Sequence, residues 1–332
     1  MLNKLGKIAV LATAAVATIG AATAEAAPLR LQAATITNDG FPYVDGLRKF
    51  KEVLDARAEC EIDVGVHVGG SLGNEREINE AILEGSVHIG VGAGSMANLA
   101  PIYNVFQIPF LIQGQKHMAA VADGPIGKEV AAKIEAQAGF RVLNWFSTGD
   151  SPIETVKGPV HKPSDLEGVK VRVIPNPALV DAMKAMGANP TPMAYGEVYT
   201  GLKQGVVEGA HLDVISVQNL KIYEQAKYMT DWNQITFLSE PRPVIMKAVF
   251  FDGLPEKQQA CIRDAMDEAT VYERAVFLNK MTEIRKFLVE QGVTITNVDV
   301  NAFIERIQPV WDKYGKELDA QNLMKRIAAA KP

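Results

Sequence analysis

Cysteine is scarce in this 332-residue chain, which contains only Cys60 and Cys261. Two cysteines cannot form the disulfide framework of a small secreted domain or the thiolate set of a structural metal site. We expect two separately buried thiols, although an oxidising compartment would also permit a disulfide between them. The fold must therefore depend on its apolar core, and hydrophobic residues make up 48% of the sequence. The length suits one large or two medium domains.

A surplus of positive charge is also lacking. The chain has 34 basic and 39 acidic residues, which gives a net charge of −5. Nucleic acid is therefore not an expected partner, because a polyanion-binding surface needs clustered Lys and Arg. The five histidines, at positions 67, 88, 117, 161 and 211, are too scattered to predict a zinc site.

Complete nucleotide-binding and catalytic motifs are missing as well. The segment Gly90–Ser95 resembles a dinucleotide loop, but Ser95 stands where the third glycine belongs. The segment Gly69–Gly73 reads G-x-S-x-G, which would make Ser71 the nucleophile of a secreted serine hydrolase. No downstream residue is marked as its base, so the hydrolase is kept only as an alternative. The sequence predicts a binding protein without a cofactor, a metal or enzymatic activity.

No apolar run after the N-terminal segment reaches the ~18 residues that a membrane helix needs. Residues 1–26 combine Lys4 and Lys7 with an apolar run over Ile8–Ile19 and an A-x-A pattern at 24–26. This is the layout of a secretory signal peptide, and an uncleaved anchor helix is the alternative. We therefore expect export to the periplasm.

Strands and helices alternate in two stretches of the chain. Leu29–Gly94 reads β-α-β-α-β, and a similar pattern returns over Val169–Ile215. In the second stretch we expect a turn-rich link at Ala188–Pro192 and a strand at Gly209–Ile215. Such alternation predicts parallel sheets with crossover helices, so the fold class is α/β and the two stretches indicate two lobes.

A long helix is predicted from Pro255 to Gln291. Neither glycine nor proline occurs inside this segment, and Gly292 follows it. At ~1.5 Å rise per residue the helix would be ~50 Å long and would exceed the width of one small domain. We expect it to brace both lobes, and a break near Ala275 is the alternative.

Six blocks of sequence point to one family. The most specific reads P-T-P-M-A-Y-G-E-V-Y and occupies residues 190–199. The blocks are Asp165–Val173, Met186–Tyr199, Gln204–Gly209, Gly70–Glu77, Val105–Leu111 and Lys221–Glu224. Together they resemble the solute receptors of TRAP (tripartite ATP-independent periplasmic) transporters of the DctP type, over nearly all of the chain after residue 26.

The resemblance implies a clamshell of two α/β lobes, each with a mixed, mostly parallel sheet flanked by helices. We expect lobe I to comprise 27–149 and about 238–277, and lobe II to comprise 150–237 and about 278–332. Such receptors close over a small organic acid and deliver it to membrane permease subunits driven by an ion gradient. The nearest alternative is the receptor of an ATP-driven importer, which lacks the P-T-P-M-A block.

Three ligand-binding residues follow from the resemblance. Arg172 matches the arginine that anchors the ligand carboxylate, and a guanidinium suits this role because its fork of donors fits two carboxylate oxygens. Tyr195 matches an aromatic residue that packs on the ligand. Asn74 aligns with a polar residue of the cleft, although capping of the following helix explains it equally well. Under the resemblance, Gly69–Gly73 is a loop at the mouth of the cleft.

The sequence departs from the family pattern at three positions. Many members carry a second arginine where this chain has Gly149–Pro152, so that cation is missing there. A frequently polar position is occupied by Leu212, and another by Pro175.

These departures lead to a hypothesis about the ligand. Each buried ligand charge needs compensation, so the loss of a cation favours a monocarboxylate over a dicarboxylate. We expect Asp150 or Asp213 to meet a hydroxyl or a cationic group of that ligand. The other residues expected around it are Ser151, His211 and Leu212.

Overall fold

The computed structural model describes residues 27–233 and 235–330. The predicted signal peptide, residues 1–26, lies outside the described residues. Among the described residues the strands are β1 (Leu29–Ala34), β2 (Ile62–His67), β3 (Ile89–Val91), β4 (Phe140–Phe146), β5 (Ile153–Thr155), β6 (Lys170–Val173), β7 (Asn189–Pro192), β8 (Gly209–His211), β9 (Tyr228–Asp231), β10 (Arg242–Lys247) and β11 (Thr294–Asn297).

The helices flank these strands, and the predicted long helix begins and ends within one residue of its predicted boundaries. They are α1 (Pro42–Asp55), α2 (Glu75–Glu84), α3 (Gly114–Asp123), α4 (Pro125–Ala138), α5 (Pro177–Ala185), α6 (Val198–Lys203), α7 (Val214–Asn219), α8 (Ala248–Asp252), α9 (Glu256–Glu290), α10 (Val300–Glu317) and α11 (Gln321–Ala329). None of the described helices is both long enough and apolar enough to cross a membrane.

The strands form two mixed sheets. The first sheet has the order β2-β1-β3-β10-β4, in which β1 runs parallel to β2 and β3 while β10 is antiparallel to both its neighbours. The second sheet has the order β11-β9-β5-β8-β6-β7. We call the halves built on these sheets the first lobe and the second lobe. The predicted α/β fold with two lobes is confirmed, while the lobe boundaries given above stay a prediction.

The chain crosses between the two sheets three times. It leaves the first sheet after β4 through residues 147–152, returns after β9 through residues 232–241, and crosses again along α9 to reach β11. The last two helices pack across the halves, since α10 contacts α5 and α11 contacts α4. Both lobes are therefore made of separate pieces of the chain.

Helix α9 is continuous over 35 residues, so the alternative of a break near Ala275 is wrong. At ~1.5 Å per residue its length is ~52 Å. It packs against α1 and β4 of the first lobe and against α7 of the second lobe. The predicted bracing of both lobes is confirmed.

The two cysteines form a disulfide, which corrects the expectation of two separate thiols. Cys60 lies in the turn between α1 and β2, and Cys261 lies in the first two turns of α9. Because α1 packs along α9, these segments are neighbours and the two Cα atoms lie 6.0 Å apart. A sequence separation of 201 residues gave no indication of this proximity.

Two other sequence predictions were wrong. The segment Ala188–Pro192 is not only a link, because β7 pairs with β6 at the edge of the second sheet. An edge position tolerates prolines that have no N–H to donate. The strand expected over Gly209–Ile215 ends at His211, since Asp213 caps α7 by accepting a hydrogen bond at Oδ1 from the Ser216 N–H over 2.9 Å.

Candidate ligand-binding cleft

A cavity of about 860 Å³ lies between the two lobes. Loops that follow β1, β2 and β3 line it from the first lobe, and loops that follow β6 and β8 line it from the second. Ligands of open α/β sheets bind outside the carboxyl ends of the strands, and this cavity has that position. Its volume falls in the range of about 300–1,000 Å³ that is usual for small-molecule sites.

Arg172, in β6, is a buried cation in the wall of this cavity, with an exposed fraction of 2%. Its Nε donates to the Met193 carbonyl over 3.1 Å, and its Nη1 donates to the His211 carbonyl over 3.2 Å. Within the described residues its Nη2 has no hydrogen-bond partner, and no carboxylate forms an ion pair with it. Burial lowers the pKa of Arg172 to about 10, so the guanidinium stays charged at neutral pH.

A second guanidinium lines the same cavity. Arg242 is the first residue of β10, and its Nη2 lies 2.6 Å from Glu240 Oε1. Sequence reasoning missed this cation because the family pattern placed it at Gly149–Pro152. The inference that the cleft has one cation fewer is therefore corrected: the second arginine comes from another strand and is paired with an acid. The only sign in the sequence is an acid and a base that alternate with two prolines, Glu240-Pro241-Arg242-Pro243, at the start of an apolar strand.

His211 ends β8 and is 2% exposed. Burial, with Arg172 and Arg242 nearby, lowers its pKa to about 3, so its imidazole is neutral at neutral pH. The ring packs against Phe237 with 5.1 Å between centroids. Neither ring nitrogen has a hydrogen-bond partner among the described residues. A neutral imidazole offers one donor and one acceptor to a ligand.

Tyr195, Ser216 and Asp213 form a hydrogen-bonded chain on the second lobe. The Tyr195 hydroxyl donates to Ser216 Oγ over 3.2 Å, and the Ser216 hydroxyl in turn donates to Asp213 Oδ2 over 2.5 Å. All three residues line the cavity. Burial raises the pKa of Asp213, although the hydrogen bonds from Ser216 oppose the shift. Asp213 therefore both caps α7 and presents a carboxylate to the cleft.

The remaining predicted residues divide into two groups. Ser151, Leu212 and Asn74 line the cavity, and Asn74 Oδ1 also caps α2 by accepting from the N–H groups of Arg76 and Glu77. Both interpretations of Asn74 thus fit its position.

Asp150 is the exception among the residues expected around the ligand, since Asp213, the alternative acid, lines the cavity and Asp150 does not. The Oδ2 atom of Asp150 lies 3.6 Å from Nη2 of Arg285 on α9. Burial raises its pKa to about 6, and Arg285 opposes this shift. Asp150 therefore belongs to the contact between the first crossing segment and α9.

Several buried polar atoms on lining side chains have no hydrogen-bond partner among the described residues. These atoms are Tyr43 Oη, Ser95 Oγ, Arg242 Nε and both ring nitrogens of His211. Buried polar groups in native proteins are almost always paired, so these atoms are available to a solute or to water in the cavity. Tyr43 and Ser95 were not predicted from the sequence, because a single hydroxyl in an apolar segment carries no distinctive pattern.

Ser71 does not have the position of a nucleophile. It is exposed and is absent from the cavity lining, whereas Gly69 and Gly70 line the cavity with φ angles of +66° and +67°. Left-handed backbone of this kind favours glycine and allows a tight loop. The Gly69–Gly73 segment is a loop at the cleft.

Residues 33–317 match the DctP family, described as bacterial extracellular solute-binding protein, family 7. A TRAP periplasmic solute-binding protein from Pseudomonas putida F1, solved with D-glucuronate, is 32% identical with a TM-score of 0.85, covering 91% of this chain and 97% of the other. One from Sulfitobacter sp. NAS-14.1, solved with β-D-galacturonate, is 29% identical with a TM-score of 0.83, covering 91% and 99%.

A curated relative agrees with these structures. The 2,3-diketo-L-gulonate-binding periplasmic protein YiaO of Escherichia coli is 30% identical over 285 residues, which cover 84% of this chain and 85% of the relative. These matches replace both alternatives, the receptor of an ATP-driven importer and the serine hydrolase. The chain belongs to the DctP family of bacterial extracellular solute-binding proteins and is a periplasmic binding protein of the TRAP type.

Proposed function

We propose that this protein binds a sugar acid with one carboxylate, such as a hexuronate or an aldonate, in the cleft between its lobes. The observation that carries the proposal is the lining itself. It combines a fixed guanidinium that has no acidic partner among the described residues with several buried polar atoms that lack partners. A ligand with one carboxylate and several hydroxyls supplies an anion for the guanidinium and hydrogen-bond partners for the polar atoms.

The carboxylate of the ligand binds to Arg172. Two backbone carbonyls hold this guanidinium in place, and neither of them neutralises it. A charge-assisted hydrogen bond from a buried guanidinium is about twice as strong as one between neutral groups. Arg172 therefore supplies both orientation and charge compensation.

The hydroxyls of the ligand bind to the rest of the lining. His211, Ser95 and Tyr43 can donate or accept, and the carboxylates of Glu75 and Asp213 accept from hydroxyl groups. Acids in the lining disfavour a ligand with two negative charges, since like charges repel strongly where water is excluded. Relatives whose names or structures carry D-glucuronate, D-galacturonate and L-galactonate bind ligands of this chemical class.

Membership of the DctP family also supports a proposal about the protein partner. We propose that the loaded protein delivers its ligand to the membrane permease subunits of a TRAP transporter, which take it up with an ion gradient. Binding is expected to favour the closed arrangement of the lobes, because only that arrangement surrounds the ligand.

Calorimetry on ligand-free protein tests the proposal. D-glucuronate, D-galacturonate and L-galactonate are the candidates, D-glucose is the control without a carboxylate, and succinate is the control with two. At least one sugar acid should bind and raise the melting temperature, since a ligand at 100 times its Kd stabilises the native state by about 2.7 kcal/mol. Tight binding of succinate or malate, or no binding of any sugar acid, would contradict the proposal.

A further inference from the structure

The two arginines of the cleft differ in what surrounds them. Arg172 contacts two backbone carbonyls, whereas Arg242 contacts the carboxylate of Glu240 at 2.6 Å. Glu240 is 2% exposed and Arg242 is 9% exposed, so this ion pair is shielded from water. Both of its members line the same cavity as Arg172.

Glu240 is fixed on three sides. Its Oε1 faces Arg242, and its Oε2 lies 3.2 Å from the Tyr103 hydroxyl, which is also 3.0 Å from the Pro241 carbonyl oxygen. Its backbone N–H donates to Thr148 Oγ1 over 3.0 Å, and the Thr148 hydroxyl donates to the Glu240 carbonyl. Thr148 lies in the crossing segment after β4, so the acid is anchored where the two lobes join. These contacts hold the carboxylate beside Arg242.

Charge compensation in the closed cleft depends on this pair. Without Glu240, two buried guanidinium groups would face one cavity and would match a ligand with two carboxylates. Burial raises the pKa of Glu240 to about 7, and Arg242, 2.6 Å away, opposes this shift. In its ionised form Glu240 neutralises one of the two positive charges. Two half-buried acids of the lining have other hydrogen-bond partners: Glu75 accepts from the Ala93 N–H over 2.7 Å, and Asp213 caps α7.

We propose that Glu240 determines specificity by neutralising Arg242, so that the cleft accepts sugar acids with one carboxylate and discriminates against those with two. This inference rests on the proposed function and names the residue that sets the charge of the ligand. Arg242 is the residue on which Glu240 acts. Removal of the acid leaves the donors of Arg242 available to a second carboxylate.

The Glu240→Gln substitution tests this role, because it removes the charge and keeps the shape of the side chain. Calorimetry on the variant and the wild type compares L-galactonate with galactarate and D-gluconate with D-glucarate, open-chain pairs in which a second carboxylate replaces the terminal hydroxymethyl group. The wild type should prefer the monoacid at least tenfold. The variant should shift this ratio at least tenfold towards the diacid. An unchanged ratio in a folded variant, or equal affinity of the wild type for both acids, would overturn the inference.

Three further variants identify the cause of the shift. Glu240→Asp keeps the charge and should keep the preference for the monoacid. Glu305→Gln removes an exposed acid outside the cavity lining, which has no ion pair among the described residues, and should leave the ratio within threefold of the wild type. Adding Arg242→Gln to Glu240→Gln should abolish the gain in diacid affinity. An equal shift in Glu305→Gln, or a gain that survives the loss of Arg242, would refute the pairing mechanism.

Failure of this inference is distinct from failure of the proposed function. If the wild type binds a sugar monoacid and Glu240→Gln leaves the ratio unchanged, only the role of Glu240 is refuted. If the wild type binds no sugar acid, both are refuted.

Discussion

Arg172 shows how a protein keeps a buried cation available. Two carbonyl oxygens, those of Met193 and His211, fix the guanidinium plane without cancelling its charge. Burial lowers its pKa only to about 10, which leaves the group protonated at neutral pH. The cost of holding this charge away from water is offset when an anion binds, so the side chain favours the ligand-bound state.

Replacement of Arg172 by alanine should reduce affinity for the ligand at least 100-fold. The expected loss corresponds to the roughly 2–5 kcal/mol that truncation of one partner of a buried charge pair costs. Lys170→Ala is the matched control, because Lys170 is an exposed cation on the same strand and is absent from the cavity lining. Calorimetry with the sugar acid that the wild type binds measures both variants. An affinity of Arg172→Ala within threefold of the wild type would discard the anchor assignment.

Helix α9 carries a buried acid at the point where it supports the first crossing segment. Glu273 is 0% exposed, and its Oε2 accepts from the Ser147 N–H over 3.0 Å. Its Oε1 has no partner among the described residues. Burial raises its pKa from the ordinary value of 4.5 to about 8, with the Ser147 hydrogen bond opposing the shift. The side chain is therefore neutral in the folded protein at neutral pH.

This raised pKa predicts a dependence of stability on pH. The unfolded chain loses the Glu273 proton near pH 4.5 and the folded protein loses it near pH 8, so stability falls as the pH rises through this window. The Glu273→Gln variant keeps an acceptor for Ser147 but cannot ionise. Its free energy of unfolding should exceed that of the wild type at pH 8 by more than about 1 kcal/mol, since one pKa unit corresponds to 1.36 kcal/mol.

Denaturant unfolding at several values between pH 5 and pH 8 measures this difference. Glu283→Gln, which removes an exposed acid from the same helix, is the control and should follow the wild type. If wild type and Glu273→Gln lose stability in parallel over this range, the buried acid is not the source of the pH dependence.

Elements with strong local patterns were predictable from the sequence, and those that depend on distant pairing were not. Helix α9 lies within one residue of its predicted bounds at both ends, and α2 begins directly after its predicted Asn74 cap. The boundary between β8 and α7 was missed because Ala210, Leu212 and Val214 alternate with His211 and Asp213, a pattern typical of a strand. Arg242 was missed because β10 pairs with β3 and β4, which lie about 100 residues or more earlier in the chain.

Most of the cleft could be predicted only through the resemblance to the DctP family. The blocks around Arg172 and Tyr195 indicated that these residues share one site, and both line the cavity. The choice between Asp150 and Asp213 stayed open in the sequence, because a position in the chain does not tell which way a side chain points. The partnerless atoms of Tyr43 and Ser95 depend on three-dimensional packing, which no local pattern encodes.

At the scale of the whole molecule, the disulfide ties α9 to the turn after α1. The two cysteines close a loop of about 200 residues that contains strands β2 to β10 and thus most of both lobes. Cross-links that close long loops restrict the unfolded chain most strongly, and the typical stabilisation is about 2–4 kcal/mol. Neither cysteine lines the cavity, so the bond acts on the fold and not on the ligand.

The double variant Cys60→Ser with Cys261→Ser should therefore unfold more easily and still bind ligand. The expected loss of stability is about 2–5 kcal/mol. Denaturant unfolding with and without a reductant measures it: the reductant should lower the midpoint of the wild type and leave the variant unchanged. Equal midpoints for wild type and variant, both without reductant, would show that the bond contributes no stability.

The three crossings between the sheets have a consequence for anyone who wants to divide this protein. Strand β10 completes the first sheet between β3 and β4, yet strands β5 to β9 of the second sheet all precede it in the chain. A fragment that ends anywhere between β4 and β10 thus leaves a gap in the middle of a sheet, not at its edge. Neither half can be produced alone as a stable module, and a fluorescent sensor built on this protein must carry its reporters on exposed turns of an intact chain.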